Sequence, residues 1–351
     1  MPSYRNIAVA LILSACSLPI RAAPPEGESF SHGDWEVVCD NTRTCRVAGY
    51  PSEEDLGTVS VLFTRKAGPG TATTGRVVLG GGWDDDDFNL PATFKLALWI
   101  DGRAQGSVSM ANDSREADLT AAQVAALLGA LTRESAIEFR APKYIWRLSD
   151  RGASAVLLKM DELQGRVGTV GALRRKGKAS EAKVLPPVPA PVVRAVAPVA
   201  PLPGDKRFAE QHEDAIRAAL KKATSEDDCM DLHDAESSKS LEIVRLTKTK
   251  LLVSTRCWLA AYNSGSGYWV IDDKLPYRPE LVTESGTDYD NGTIMSSQKG
   301  RGIGDCWGTE EWTWDGNRFV HTSSMYTGQC KGFMGGAWIL PTVVADVVKP
   351  K

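Results

Sequence analysis

Residues 179–206, ASEAKVLPPVPAPVVRAVAPVAPLPGDK, alternate proline with alanine and valine. Proline fixes φ and removes a backbone donor, so neither a helix interior nor a central strand can run through such a stretch. The segment should be extended, polyproline-like and semi-rigid. It divides the 351-residue chain into two parts of single-domain size. As a spacer rising about 3.1 Å per residue, it would hold the second part roughly 80 Å from the first. The expected organisation is an export segment over 1–23, an N-terminal β domain over 24–178, a Pro/Ala-rich linker over 179–206 and a C-terminal disulfide-stapled β domain over 207–351.

The chain begins with a short segment carrying Arg5, then an apolar run from Ile7 to Ala15. That run suits a secretory signal and is too short to span a bilayer. Leu13-Ser14-Ala15-Cys16 has the form of a bacterial lipobox, with Cys16 as the lipidated residue; cleavage near Ala22 or Ala23 is the alternative. Both readings place the protein in the periplasm or, lipid-anchored, at the outer membrane of a Gram-negative cell. Apart from Cys16, six cysteines remain: Cys39, Cys45, Cys229, Cys257, Cys306 and Cys330. An even number in an oxidising compartment implies disulfides, and six allow fifteen pairings. The layout of the two parts favours the local set 39–45, 229–257 and 306–330. By loop entropy the first is worth about 2.4 kcal/mol and the others about 3.5 each. Cys39 and Cys45 lack the spacing of a redox pair, and no histidine-rich partner points to zinc.

Composition is 42% hydrophobic and 24% charged with net charge −3. As a whole, that balance offers no footprint for nucleic acid and no polybasic attachment to anionic lipid. In the first part, Phe94, Leu96, Leu98 and Ile100 alternate with Lys95, Ala97 and Trp99, a strand buried on one face. Thr120 and Gln123 form a capping box ahead of a helix closed by Gly129, and Leu119 and Val124 supply the hydrophobic staple. A second helix carries Val156, Met160 and Leu163 on one face and stops at Gly165. The second part opens with a helix using Ile216, Ala219 and Leu220, then becomes strand-like. Asn291-Gly292 and Asp315-Gly316 are two-residue hairpin signals. The latter would set Trp312 opposite Phe319. The fold class is α+β, mainly β: an N-terminal β-sandwich-like domain with peripheral helices, the linker, and an antiparallel β domain preceded by a helix.

No catalytic constellation is visible. Ser266 lies between glycines but outside a nucleophile elbow, and His321 has no nucleophile placed beside it by any motif. Glu310 and Glu311 should point to opposite faces of a strand. The acidic run Asp84–Asp87 reads as a solvated loop rather than a calcium site. Cys229 and His233 have helical zinc spacing, but an oxidised Cys229 removes the ligand. Neither a cofactor fingerprint nor a metal-ligand set is present. Aromatic density is the remaining signal: six of ten tryptophans lie between Trp258 and Trp338. Rings on adjacent strands, Trp269, Trp312 and Trp314 among them, can form a platform for a glycan or an envelope protein, or can fill a small core.

DWEVVCDNTRTCRVAGY near the start and GQCKGFMGGAWILPTVV near the end resemble a bacterial envelope family called domain of unknown function 1176, across nearly the whole mature chain. GDWEVVC with the later WRLSDRGASAVLLKMDEL is similar to the invasion-associated locus B family, which implies a periplasmic β-sandwich with a peripheral helix. Neither resemblance supplies a reaction. SGSGY, Ser264 to Tyr268, resembles the S-G-x-x-Y signature of membrane-bound C-type lysozyme inhibitors, although that family's Trp/Lys-Gly motif has no counterpart here. That resemblance implies a loop carrying Ser264 and Tyr268 into a lysozyme cleft. The leading expectation is therefore a non-enzymatic envelope binding protein using its C-terminal aromatics, with lysozyme inhibition as the alternative and an enzyme acting on envelope glycans or peptides as a third.

Overall fold

The computed structural model describes residues 26–55, 57–81, 89–237 and 239–350. The expected export segment with Cys16 and the acidic run Asp84–Asp87 lie outside them. In the N-terminal half, strands β1 (Glu28–His32), β2 (Trp35–Cys39), β3 (Cys45–Gly49), β4 (Val59–Arg65) and β5 (Thr73–Leu79) follow as an antiparallel meander. Strands β6 (Thr93–Ile100) and β7 (Arg103–Ala111) start a second sheet, and β8 (Glu116–Asp118) returns to the edge of the first. Helix α1 (Ala121–Ala130), strands β9 (Ile137–Ala141) and β10 (Tyr144–Leu148), and helix α2 (Ala153–Leu163) complete the half. The sheets run β1-β2-β3-β4-β5-β8 and β10-β9-β6-β7. They share one core, in which Trp35, Val61 and Phe63 meet Leu98, Phe139 and Trp146, with Leu127 of α1 and Val156 and Met160 of α2 packed in.

Local signals explain these elements. Strand β6 buries Phe94, Leu96, Leu98 and Ile100 and turns Lys95 outward, as period two requires. Thr120 Oγ1 accepts from the Gln123 amide while Gln123 Oε1 accepts from the Thr120 amide, closing the expected box. Strand β2 behaves differently: every residue is buried. Trp35, Val37 and Cys39 face the sandwich core, whereas Val38 belongs to a second apolar cluster on the outer side. A strand covered on both faces loses its alternation.

The C-terminal half contains α3 (Asp205–Ala223), α4 (Met230–His233) and strands β12 (Glu242–Arg245), β13 (Lys250–Leu259), β14 (Ser264–Asp272), β15 (Glu280–Gly286), β16 (Asp288–Asp290), β17 (Thr293–Lys299), β18 (Trp307–Trp314), β19 (Phe319–Tyr326), β20 (Leu340–Val344) and β21 (Asp346–Val348). One sheet runs β12-β13-β14-β15 and the other β16-β17-β18-β19-β20. Between them lie Leu252, Tyr268, Val270, Ile294, Trp312, Trp314 and Phe319. The opposite face of the first sheet is closed by Ile216 and Leu220 of α3 and Leu232 of α4, against Leu251, Val253, Trp269 and Ile271. Asn291 and Gly292 both take positive φ, 41° and 89°, and join Asp290 to its partner Thr293. The second hairpin closes one residue later than expected. Asp315 pairs with Arg318 around Gly316 and Asn317, so Trp314 faces Phe319 while Trp312 faces His321.

The three disulfides are Cys39–Cys45, Cys229–Cys257 and Cys306–Cys330. The first joins directly opposed residues of the β2–β3 hairpin.

The proline-rich segment does not project as a spacer. It is extended, but it lies along both halves. The Gly68 amide donates to Leu185 O, the Val188 amide to Thr42 O, the Val196 amide to Trp314 O and the Val199 amide to Leu246 O. Residues Val192–Arg194 form β11, paired in parallel with β21. Proline has no N–H, but the interspersed valines do, and their amides find acceptors on the surface they cross. The expected separation of 80 Å is replaced by direct docking of the halves.

That docking buries Val38, Ala48, Tyr50 and Leu62 of the first half against Phe333, Trp338 and Leu340 of the second. The Trp338 indole donates to Ser60 Oγ at 2.6 Å, and the Asn41 side chain pairs with both backbone groups of Val344. Glu36 accepts from Tyr50 Oη at 2.5 Å and from the Gln329 amide at 3.0 Å. Asp34 accepts from Ser149, Arg151 and Lys331. Burial opposes ionisation of Asp34, yet its donors outweigh burial and hold the carboxyl below its ordinary range. Burial pushes Glu36 upward, only partly offset by its tyrosine and amide donors.

These shifts have opposite signs. The Asp34 contribution is present above the unfolded carboxylate value and disappears as pH falls through its lower folded value. The Glu36 contribution is present at low pH and disappears as pH rises through its raised folded value. Protonating Asp34 also removes the anion facing Arg151 and Lys331. Thermal unfolding should therefore show a loss of stability below about pH 4 that Asp34→Asn flattens. A variant with the same acid limb as the parent would assign that limb to other carboxylates.

Candidate functional site

The SGSGY stretch lies in strand β14, paired on both sides, and is not a loop. Its two glycines have a packing cause. A Cβ on Gly265 would stand 2.3 Å from Trp258 Nε1, and one on Gly267 would stand 2.0 Å from the Trp269 ring. Small residues make room for tryptophans, which corrects the reading of Ser264–Tyr268 as an inhibitory loop. The actual β13–β14 turn spans 260–263, closed by the Ala260 amide donating to Asn263 O.

The aromatic residues expected to form a platform are dispersed through the interior. Trp269 is fully buried under α3 and donates to Thr224 Oγ1 at 2.9 Å. Trp314 is also fully buried, and Trp312 stacks on His321 between the sheets. Ser264 is exposed, but Tyr268 is 94% covered, its ring filling the gap between the two sheets. Tyr268 also borders a concavity.

That concavity, about 510 Å³, opens beside strands β12, β13, β14 and β16. Its wall carries the hydroxyl side chains of Ser240, Ser254, Thr255, Ser266, Thr287 and two tyrosines, Tyr268 and Tyr289. Glu242 and Asp288 supply carboxylates, and Lys239 and Arg256 supply cations. Arg256 is already engaged, donating to Asp231 at 2.5 Å and to Ser237 O. Lys239, Glu242 and Asp288 form no ion pair among the described residues. Burial, then the nearby charges of Asp288 and Glu242, push the Tyr268 phenol up to about 12. It stays protonated at neutral pH and acts as a hydrogen-bonding group, not a base. Burial also raises Tyr289. The Tyr289 ring packs against the C-terminal core and meets Phe319 edge-on, with the Gly292 backbone beside its hydroxyl, so that hydroxyl is covered rather than open to the cleft.

The strands explain why these groups converge. Ser254 and Tyr268 are directly opposed on β13 and β14, and Ser266 lies opposite Arg256. With side chains alternating along β14, Tyr268 faces the cleft side while Trp269 faces α3. Residues 239–242, 254–256 and 287–289 come from three separated stretches, so no linear motif marks them. Only Tyr268 was indicated by the sequence.

His321 lies on β19 as expected. Its Nδ1 is 4.0 Å from Glu26 and its Nε2 is 3.8 Å from Glu310. Burial raises Glu310, with His321 opposing that shift. Glu311 does not join Glu310 there: it occupies the position before the bulge and pairs with Ser323.

Comparison with known proteins adds family context. A family model described as a protein of unknown function (DUF1176) matches residues 29–345. The uncharacterized protein YpfG of Escherichia coli (strain K12) is 27% identical over 330 residues, covering 85% of this chain and 86% of the relative. No solved structure matches.

Proposed function

The chain belongs to the DUF1176 family, and from that premise we propose that it is an exported, non-enzymatic binding protein of the cell envelope whose C-terminal half takes a glycan in the polar cleft. The observation that carries this reading is the wall of hydroxyl groups gathered around Tyr268, with the carboxylates of Glu242 and Asp288 beside it. Sugars present many hydroxyls, each able to donate and accept, and a site rich in serine, threonine, tyrosine and carboxylate oxygens answers both roles. The apolar N-terminal run and three disulfides support export to an oxidising compartment. A lipid anchor at Cys16 is part of the same proposal.

Removing a carboxylate hydrogen-bonded to a ligand costs about 1.5–3 kcal/mol, roughly a tenfold to hundredfold change in affinity. Asp288→Asn and Glu242→Gln should each weaken retention of purified cell-wall and envelope oligosaccharides by at least about tenfold, with unchanged circular dichroism. Tyr268→Phe should show a smaller loss. Oligosaccharides held equally by parent and variants, or held by none of them in calorimetry, would remove the cleft as a glycan site.

A further inference from the structure

Net charge conceals a second feature. Residues 166–178, RVGTVGALRRKGK, contain five cations and no acid in a chain of net charge −3. Arg166 is internal, but Arg174, Arg175, Lys176 and Lys178 are exposed, and none of these four forms an ion pair among the described residues. An unpaired basic run is normally a mobile, solvated loop. This one is fixed.

Its base is held by Arg166, whose side chain is fully buried and paired with Glu181. Midway, the buried Asp161 carboxylate accepts from the Leu173 and Arg174 amides, both at 2.8 Å. Across the loop the Gly168 amide donates to Arg175 O and the Gly177 amide to Thr169 O. Arg174 Nε also bonds to Ser154 Oγ, tying the run to the first turn of α2. Four like charges are thereby kept close together against their mutual repulsion. Beside them opens a concavity of about 520 Å³ lined by His32, Ser154, Arg174 and Arg175.

We propose that the Arg174–Lys178 loop and the adjoining concavity form a binding site for a ligand bearing at least two phosphate groups. Two neighbouring guanidinium groups provide planar forks suited to phosphate oxygens, and Lys176 and Lys178 add point charges for a second group. Fixing the backbone beforehand removes the ordering cost that a flexible basic run would carry into binding. The site is on the N-terminal half and does not depend on the glycan cleft.

The test is calorimetry with inorganic pyrophosphate, together with co-sedimentation on phosphatidic-acid vesicles, for the parent protein and two variants at low and moderate salt. Arg175→Ala/Lys176→Ala/Lys178→Ala changes only exposed side chains and should weaken binding at least tenfold. Asp161→Asn keeps all four cations and raises the local positive charge, but loosens the loop. It should bind severalfold more weakly, whereas a merely electrostatic surface would bind as well or better. Pyrophosphate binding identifies a soluble phosphorylated ligand as sufficient; binding to vesicles alone identifies neighbouring lipid headgroups, each with one phosphate, as the source of the two groups. No binding in either arm, equal binding by the triple variant, undiminished binding by a folded Asp161→Asn protein, or tighter binding of a single-stranded oligonucleotide than of both phosphate probes overturns the proposal.

Discussion

Replacing Trp338 with alanine is expected to separate the two halves without dissolving either core. The indole is 95% buried between Phe333 and Leu340 on its own side and Val38, Ala48, Tyr50 and Leu62 on the other. Its Nε1 donates to Ser60 Oγ, and the Arg76 guanidinium lies 5.7 Å from the ring centre. Truncating a buried tryptophan to alanine costs about 3–5 kcal/mol through lost contacts and the remaining cavity. That loss falls on a surface shared by the halves, so it should appear as local opening. Hydrogen exchange should accelerate at Gly27, Asn41 and Val344, whose amides bond across the interface. Amides of β6 should keep their protection. Uniform acceleration through both halves, or none anywhere, would show that docking does not depend on this residue.

The second large effect is expected at Arg166. Its guanidinium donates to Gln164 Oε1 at 2.9 Å, Gly68 O at 2.6 Å and Thr71 Oγ1 at 2.7 Å, and pairs with Glu181. Arg166→Ala leaves these acceptors without their donor inside the protein. Breaking a buried ion pair from one side costs about 3–5 kcal/mol. For a unit of this size that corresponds to a fall of roughly 6–20 °C in melting temperature. Arg166→Lys should recover only part of it, because an ammonium group cannot reproduce a fork reaching five partners, Lys66 O at 3.4 Å among them. Differential scanning calorimetry decides the matter. A shift below about 2 °C would mean that water readily replaces the guanidinium.

Much of the secondary structure could be read from short-range pattern. Phe94 to Ile100 alternates because one face of β6 is buried, and the Thr120–Gln123 box declares a helix start through bonds only three residues apart. The disulfides were favoured by locality, and the observed pairs are local. Long-range effects escaped such reading. Strand β2 is covered from both sides, but its second cover comes from residues nearly three hundred positions away. The proline-rich segment was recognisable as extended; that its valine amides would bond to both halves was not. The hairpin at 315–318 shifted by one residue because Gly316 occupies the first central position with φ 95°. SGSGY looked like a turn because glycine and serine favour turns, whereas here glycine accommodates tryptophan rings. The polar cleft was legible only at Tyr268, since its other groups meet through strand pairing and not through sequence spacing.

The closing strand carries a consequence for biogenesis. The Gly27 and Asn41 amides both bond to Thr342, and Asn41 also clasps Val344. Synthesis delivers the amino end first, so the outer face of the first sheet must wait for residues 333–344 before its cover arrives. During that interval Val38, Tyr50 and Leu62 form an uncovered apolar surface on an otherwise foldable half. Such a surface is a target for holding chaperones and a hazard for association between nascent copies. A chain truncated before Phe333 would keep that hazard permanently, so the stretch from Phe333 to Val344 acts as a completion signal for the fold.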